Sequence, residues 1–133
     1  MKRQIQAGFA FFWPNFTPDI FRAQFPYVYE KYDIVLSATP EVVFYSVFSP
    51  SFVPYADPRR APGGIAPGPY LRVFVTGENF EPPMQDCDFA ISFSSQTDQS
   101  NHLRLPLWVH ENRGWGYGPE KLIKDASTDW EKI

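Results

Sequence analysis

The chain has 133 residues, enough for one domain with a real core and too few for two. Hydrophobic residues make up 44% and aromatics 18%, which excludes global disorder despite 14 prolines and 8 glycines. A net charge of −3 without any Lys/Arg run speaks against a nucleic-acid partner, and the single cysteine, Cys87, excludes an internal disulfide and fits a reducing compartment.

Met1-Lys2-Arg3 followed by the apolar residues 7–13 has the outline of a signal peptide. The apolar run is short, and Pro14 stops it without a small-residue cleavage site. No stretch reaches transmembrane length. The expectation is a cytoplasmic protein, with peripheral membrane association as a second option.

Residues 5–13 (IQAGFAFFW) are apolar and β-prone, and predict a buried first strand ended by Pro14. Thr17-Pro18-Asp19 then announces a helix: a capping hydroxyl, proline at the first helical position, an acid in the first turn. Ile20, Phe21, Phe25, Val28 and Tyr29 fall on one face, and Pro26 predicts a kink or restart. Residues 33–37 (DIVLS) and 42–48 (VVFYSVF) read as strands, the second central because it lacks polar alternation. The link 38–41 is too short for a helical crossover, so composition does not place these two strands relative to each other.

Six prolines and three glycines occupy residues 50–69, a functional flap or a solvated insert. Strands follow at 72–76 (RVFVT), 88–93 (DFAISF) and 103–109 (LRLPLWV), the last at an edge or outside the ladder because of Pro106. Thr128-Asp129-Trp130-Glu131 fits a capping box and marks the start of a further helix. Alternating strands and helices predict an α/β fold, a Rossmann-like three-layer sheet.

In such sheets ligands gather at the carboxyl ends of strands. The readable ends are Trp13-Pro14-Asn15, Ser49-Pro50, Thr76-Gly77-Glu78-Asn79 and Ser92-Phe93-Ser94. Only the third offers a carboxylate directly after a buried strand. Gly77 lets the backbone turn there, and a partly desolvated Glu78 is suited to take a proton from a hydroxyl. The plainer reading is a cap or surface pair. Trp13 is a sugar-stacking face or a core residue. Asn15, Thr76 and Asn79 are ligand contacts or turn formers. Cys87 reads as a small buried hydrophobe. His102 and His110 have no partner at metal-ligand spacing, so no metal site is expected.

The runs Arg72-Val-Phe-Val-Thr-Gly-Glu-Asn79, Cys87-Asp-Phe-Ala-Ile-Ser-Phe93 and His102-Leu-Arg-Leu-Pro-Leu-Trp108 resemble, in order and spacing, the amino-terminal half of the α-1,3-fucosyltransferases of glycosyltransferase family 10. Phe11-Phe-Trp-Pro-Asn15 and Phe44-Tyr-Ser-Val-Phe48 are similar to that family's first strands. The resemblance implies one half of a GT-B-type glycosyltransferase: the acceptor-side domain at 1–110, with the insert 50–69, then a linker and helix start at 111–133 leading to a donor domain. It implies inverting transfer of fucose from GDP-fucose to a glycan hydroxyl. Glu78 would be the base, Trp13, Asn15, Thr76 and Asn79 acceptor contacts, and Arg104 structural. Residues 111–121 are similar to the family's donor-side motif, which would make Glu120 and Lys121 donor contacts. No apolar strand follows them, and they are read as a Gly/Tyr-rich linker. The chain has no cofactor of its own, and GDP-fucose enters only with the donor domain. The expected partners are that domain and the glycan acceptor, and the chain alone is expected to be inactive. The alternatives are a carbohydrate-binding module and an inactive remnant of such an enzyme.

Overall fold

The computed structural model describes residues 1–48, 65–95 and 100–106. Its elements in chain order are β1 (Arg3–Ala10), α1 (Pro18–Gln24), α2 (Pro26–Lys31), β2 (Tyr32–Leu36), β3 (Val42–Tyr45), β4 (Leu71–Val75), β5 (Phe89–Ser92) and β6 (His102–Arg104). All six strands form one parallel sheet in the order β2-β1-β3-β4-β5-β6. The α/β class follows, with helices on a parallel sheet.

The helix signals act as their chemistry requires. Thr17 is extended (φ −133°, ψ 157°), and its hydroxyl accepts from the Ile20 amide at 3.4 Å. Phe25 donates to the Phe21 carbonyl at 2.9 Å and closes α1. Pro26 has no N–H to continue the ladder, so the chain restarts there as α2. Tyr32 caps α2 and is at once the first residue of β2.

The predicted strands are all present; β2 and β4 keep their predicted length, one residue earlier, and the others are shorter. The first ends at Ala10 and not at Trp13. Phe11 takes a left-handed conformation (φ 57°), which breaks the alternation of faces, so that Ala10 and Phe11 pack into the same cluster. Likewise β3 stops at Tyr45. Pro106 lies beyond the three-residue edge strand β6. Residues 107–109, most of the 50–69 insert, His110 and the capping box at 128–131 lie outside the described residues.

The placement of β2 and β3 is resolved by their register. β2 pairs with Arg3 to Ala7 of β1, while β3 pairs on the other side with Ala7 to Ala10. The two strands are staggered, so the end of one is level with the start of the other. Residues 37–41 then need only step across β1. Ser37 donates to the Ala7 carbonyl at 3.0 Å and Glu41 to the Gln6 carbonyl at 2.9 Å. The step passes over Gly8, where an added Cβ would lie 3.5 Å from Pro40 Cγ.

The core has two halves, one on each face. On the helical face Phe21, Phe25 and Val75 are buried, and Phe9 and Phe44 stack at 5.5 Å beneath Phe21. On the opposite face lie Tyr45, Val47, Phe74, Phe80, Cys87 and Ala90. Fully burying rings of this size contributes about 2–3 kcal/mol each. Among the described residues this second face is covered by irregular segments, not by helices, so the third layer of the predicted sandwich is a packed loop. No helix of the described residues is long and apolar enough to cross a membrane.

Candidate functional site

The strand order reverses between β1 and β3, since β1 leads to β2 on one side and the later strands build up on the other. The crevice at such a reversal, beyond the carboxyl ends of the strands, is the favoured ligand position in open parallel sheets. One register row, Ala10, Tyr45, Phe74, Ala90 and His102, runs across five strands just below that edge. The carboxyl ends of β1 and β4 are two strand spacings apart, about 10 Å.

At the β1 end, Phe16 donates to the Trp13 carbonyl at 3.2 Å, with Pro14 and Asn15 between them and Asn15 at φ 66°. Proline followed by a left-handed asparagine is the signature of a type II turn. This accounts for the Asn15 backbone and leaves its side chain exposed. Trp13 is half-buried, with edge-on contacts to Phe12, Phe16 and Phe48 at 5.8, 5.2 and 5.9 Å. Its indole is a wedge between the segments leaving β1 and β3.

At the β4 end, Thr76 is buried and donates its amide to the Ile91 carbonyl at 3.0 Å. Its hydroxyl accepts the Glu78 amide at 3.0 Å, and the Glu78 carbonyl accepts from Phe80 at 2.7 Å. Phe80 is buried against Phe74 at 6.2 Å and anchors the turn. Thr76 thus holds the turn, and Glu78 and Asn79 are its exposed tip. The partly desolvated carboxylate predicted for Glu78 is not what the fold presents. Among the described residues nothing hydrogen-bonds or covers it, because the chain turns back toward the core at Phe80.

A second polar group beside this turn was not legible in the sequence. Ser94 donates its hydroxyl to Glu81 Oε2 at 2.6 Å and its amide to Ser92 Oγ at 3.2 Å, and Ser92 Oγ lies 2.9 Å from His102 Nε2. Ser92 and Ser94 are buried, and His102 Nδ1 is buried without a partner among the described residues. Burial pushes the His102 pKa down, and the nearby Glu81 charge opposes the shift. The network ties the 76–81 turn to β5 and β6. Ser92 and Ser94 stand two apart at a strand end, which was a readable signal. Their partners are distant in sequence and were not.

Arg104 and Cys87 make structural contacts. Arg104 Nε donates to the Phe93 carbonyl at 3.3 Å. Cys87 is buried, with burial pushing its thiol up to about 11. Among the described residues no three His, Cys, Asp or Glu side chains gather to hold a metal ion.

Residues 64–110 match the model of the alpha-(1,3)-fucosyltransferase FucT N-terminal domain. This stretch holds β4, the 76–79 turn, β5 and β6. No curated protein matches the chain. Among solved structures, an alpha1,3-fucosyltransferase with GDP-fucose superimposes at a TM-score of 0.57 and 22% identity, over 83% of this chain and 28% of that one. An alpha1,3-fucosyltransferase structure gives 0.56 at 20% identity, over 84% and 31%, and one with GDP gives 0.56 at 22%, over 84% and 29%. At such identities the likeness is one of fold. The chain spans less than a third of the length of these proteins.

Proposed function

We propose that this chain is the acceptor side of an inverting fucosyltransferase, with Glu78 as the base. The observation that supports it is the family match over residues 64–110, which centres on a turn built to present one carboxylate at the carboxyl edge of a parallel sheet. In the reaction the acceptor hydroxyl gives its proton to Glu78. Its oxygen attacks the anomeric carbon of fucose from the face opposite the leaving group, and the bond to GDP breaks. The proton acceptor is on this chain. The groups that neutralise the departing diphosphate belong to a donor-binding domain that faces this edge. Closure of that domain would expel water from around Glu78 and strengthen its hydrogen bond to the acceptor. Asn79, Asn15 and Trp13 line the same edge as acceptor contacts, and Thr76 positions Glu78 through the backbone.

The test combines this chain with the donor domain of an alpha1,3-fucosyltransferase and measures transfer from GDP-fucose to galactose- and N-acetylglucosamine-containing glycans. The chain alone is expected to give none, and the combination is expected to be active. Glu78→Gln should lower that activity by about 10²-fold or more. Full activity of the Gln variant would remove Glu78 from the role of base.

The exposure of Glu78, Asn79 and Asn15 along one edge favours a second reading, carbohydrate binding without transfer. Saturation-transfer NMR with the same glycans reads this directly. Binding by the lone chain combined with inactivity of the complemented one would select it.

A further inference from the structure

Two carboxylates stand on the turn after β4, three residues apart. Glu78 and Glu81 are both exposed, and a carboxylate at either place is suited to take a proton from a hydroxyl. Their surroundings differ. Among the described residues nothing hydrogen-bonds the Glu78 side chain, whereas Glu81 Oε2 accepts the Ser94 hydroxyl at 2.6 Å. The serine must be the donor there, since an ionised carboxylate has no proton to give. The length is that of a charge-assisted bond, about twice as strong as a neutral one.

Ser94 is a firm anchor for this contact. β4 and β5 are in register at Val75 and Ile91, so Thr76 is level with Ser92. Ser94 lies two residues further on, beside the turn. It is buried, and its amide donates to Ser92 Oγ at 3.2 Å. Ser92 is buried in turn, 2.9 Å from His102 Nε2 on β6. The hydroxyl that grips Glu81 is therefore tied back into two strands.

The contact closes the far end of the turn. At the near end the Thr76 hydroxyl accepts the Glu78 amide at 3.0 Å. At the far end Phe80 donates to the Glu78 carbonyl at 2.7 Å and packs on Phe74, and Glu81 follows it directly. Pro82 confines the Glu81 backbone to extended forms, so a hold on its side chain passes to the main chain. Gly77, inside the turn, adds no restraint of its own.

We propose that Glu81 and Ser94 are a positioning pair: their hydrogen bond fixes the turn that carries Glu78, and Glu81 is not itself the proton acceptor. This rests on Glu78 being the base of the transfer proposed above. A base displaced by about 1 Å costs on the order of 10²-fold in rate, so the hold on the turn bears on kcat.

The test has two arms. In the lone chain, NMR reads amide exchange. Ser94→Ala and Glu81→Ala are each expected to speed exchange of the Glu78 and Phe80 amides about 10-fold and to leave the β1 amides unchanged. In the chain combined with the donor domain, the same two variants should lower kcat about 10-fold or more. The KM for GDP-fucose should stay within about twofold of the parent, since the donor is held elsewhere. Glu81→Gln keeps an oxygen that accepts the Ser94 hydroxyl, and should hold both readouts within about threefold of the parent. Unchanged exchange in both Ala variants would overturn the proposal without reference to catalysis. Full kcat in both, beside a Glu78→Gln variant that has lost its activity, would overturn the positioning pair alone and leave the base in place. Full activity of Glu78→Gln would overturn the base, whatever the exchange reads. Loss of activity in Glu81→Gln in its stead would make Glu81 the proton acceptor and overturn both.

Discussion

At the residue scale, the motif that resembles the fucosyltransferases is largely a packing and clasping device. Arg72 and Asp88 stand at the starts of β4 and β5. Asp88 Oδ2 accepts the Arg72 amide at 2.7 Å and Arg72 Nε at 3.3 Å, and Oδ1 accepts Nη2 at 3.3 Å. The guanidinium and amide hold the Asp88 carboxyl below the usual carboxylate range. A depressed carboxyl stabilises the fold above the ordinary value near 4 and loses that contribution as pH falls through the depressed one. His102 is also depressed, by burial, so it too favours the fold above about 6.5 and loses that contribution as pH falls below it. Urea midpoints between pH 3 and 8 should therefore fall in two stages. His102→Gln is expected to remove the upper stage and Asp88→Asn the lower. Asp88→Asn should cost roughly 1 kcal/mol at neutral pH, since a third of its side chain is in water. An unchanged upper stage in the Gln variant would show that His102 is not its origin. Glu78 is the exception in the motif, because its side chain has no structural work among the described residues.

At the element scale, the step across Gly8 decides the topology. An alanine there puts its Cβ at ordinary contact distance from Pro40, so Gly8→Ala should melt within a few degrees of the parent. Gly8→Leu would drive into the 37–41 step and should cost about 1–3 kcal/mol. Equal melting of the Leu variant would mean that the step gives way freely. This element also shows where sequence reading stops. Strand identity was legible because apolar runs end at Pro or Gly, and the helix restart was legible because Pro26 lacks an N–H. The placement of β2 and β3 depends on which half of β1 each one pairs with, which no composition encodes. The strand end at Ala10 was missed because a phenylalanine in the left-handed region leaves no trace in a hydrophobic run. Glu78 was found because Gly77 marks a break after a buried strand. The Glu81, Ser94, Ser92 and His102 network was not, since it joins two loops and an edge strand.

At the scale of the whole molecule, two layers of unequal kind close on one sheet, and the carboxyl edge carries the exposed carboxylate. The edge strand β6 has only three residues, with Pro106 two residues beyond it. Both features hinder addition of a foreign strand there. The opposite end of the sheet has a kinetic consequence. Strand β1 is flanked by β2 and β3, roofed by α1 at Phe9 and strapped by residues 37–41 at Gly8. Once that strap is drawn, β1 has no open side through which to arrive. The first strand made is therefore expected to pair before the strap tightens, which would put its contacts in the folding nucleus. Ala7, fully buried where β2 and β3 overlap on β1, is the probe. Ala7→Gly should slow refolding with little change in the unfolding rate, a φ-value near 1. A variant that unfolds faster but refolds at the parent rate would show that β1 slips in last.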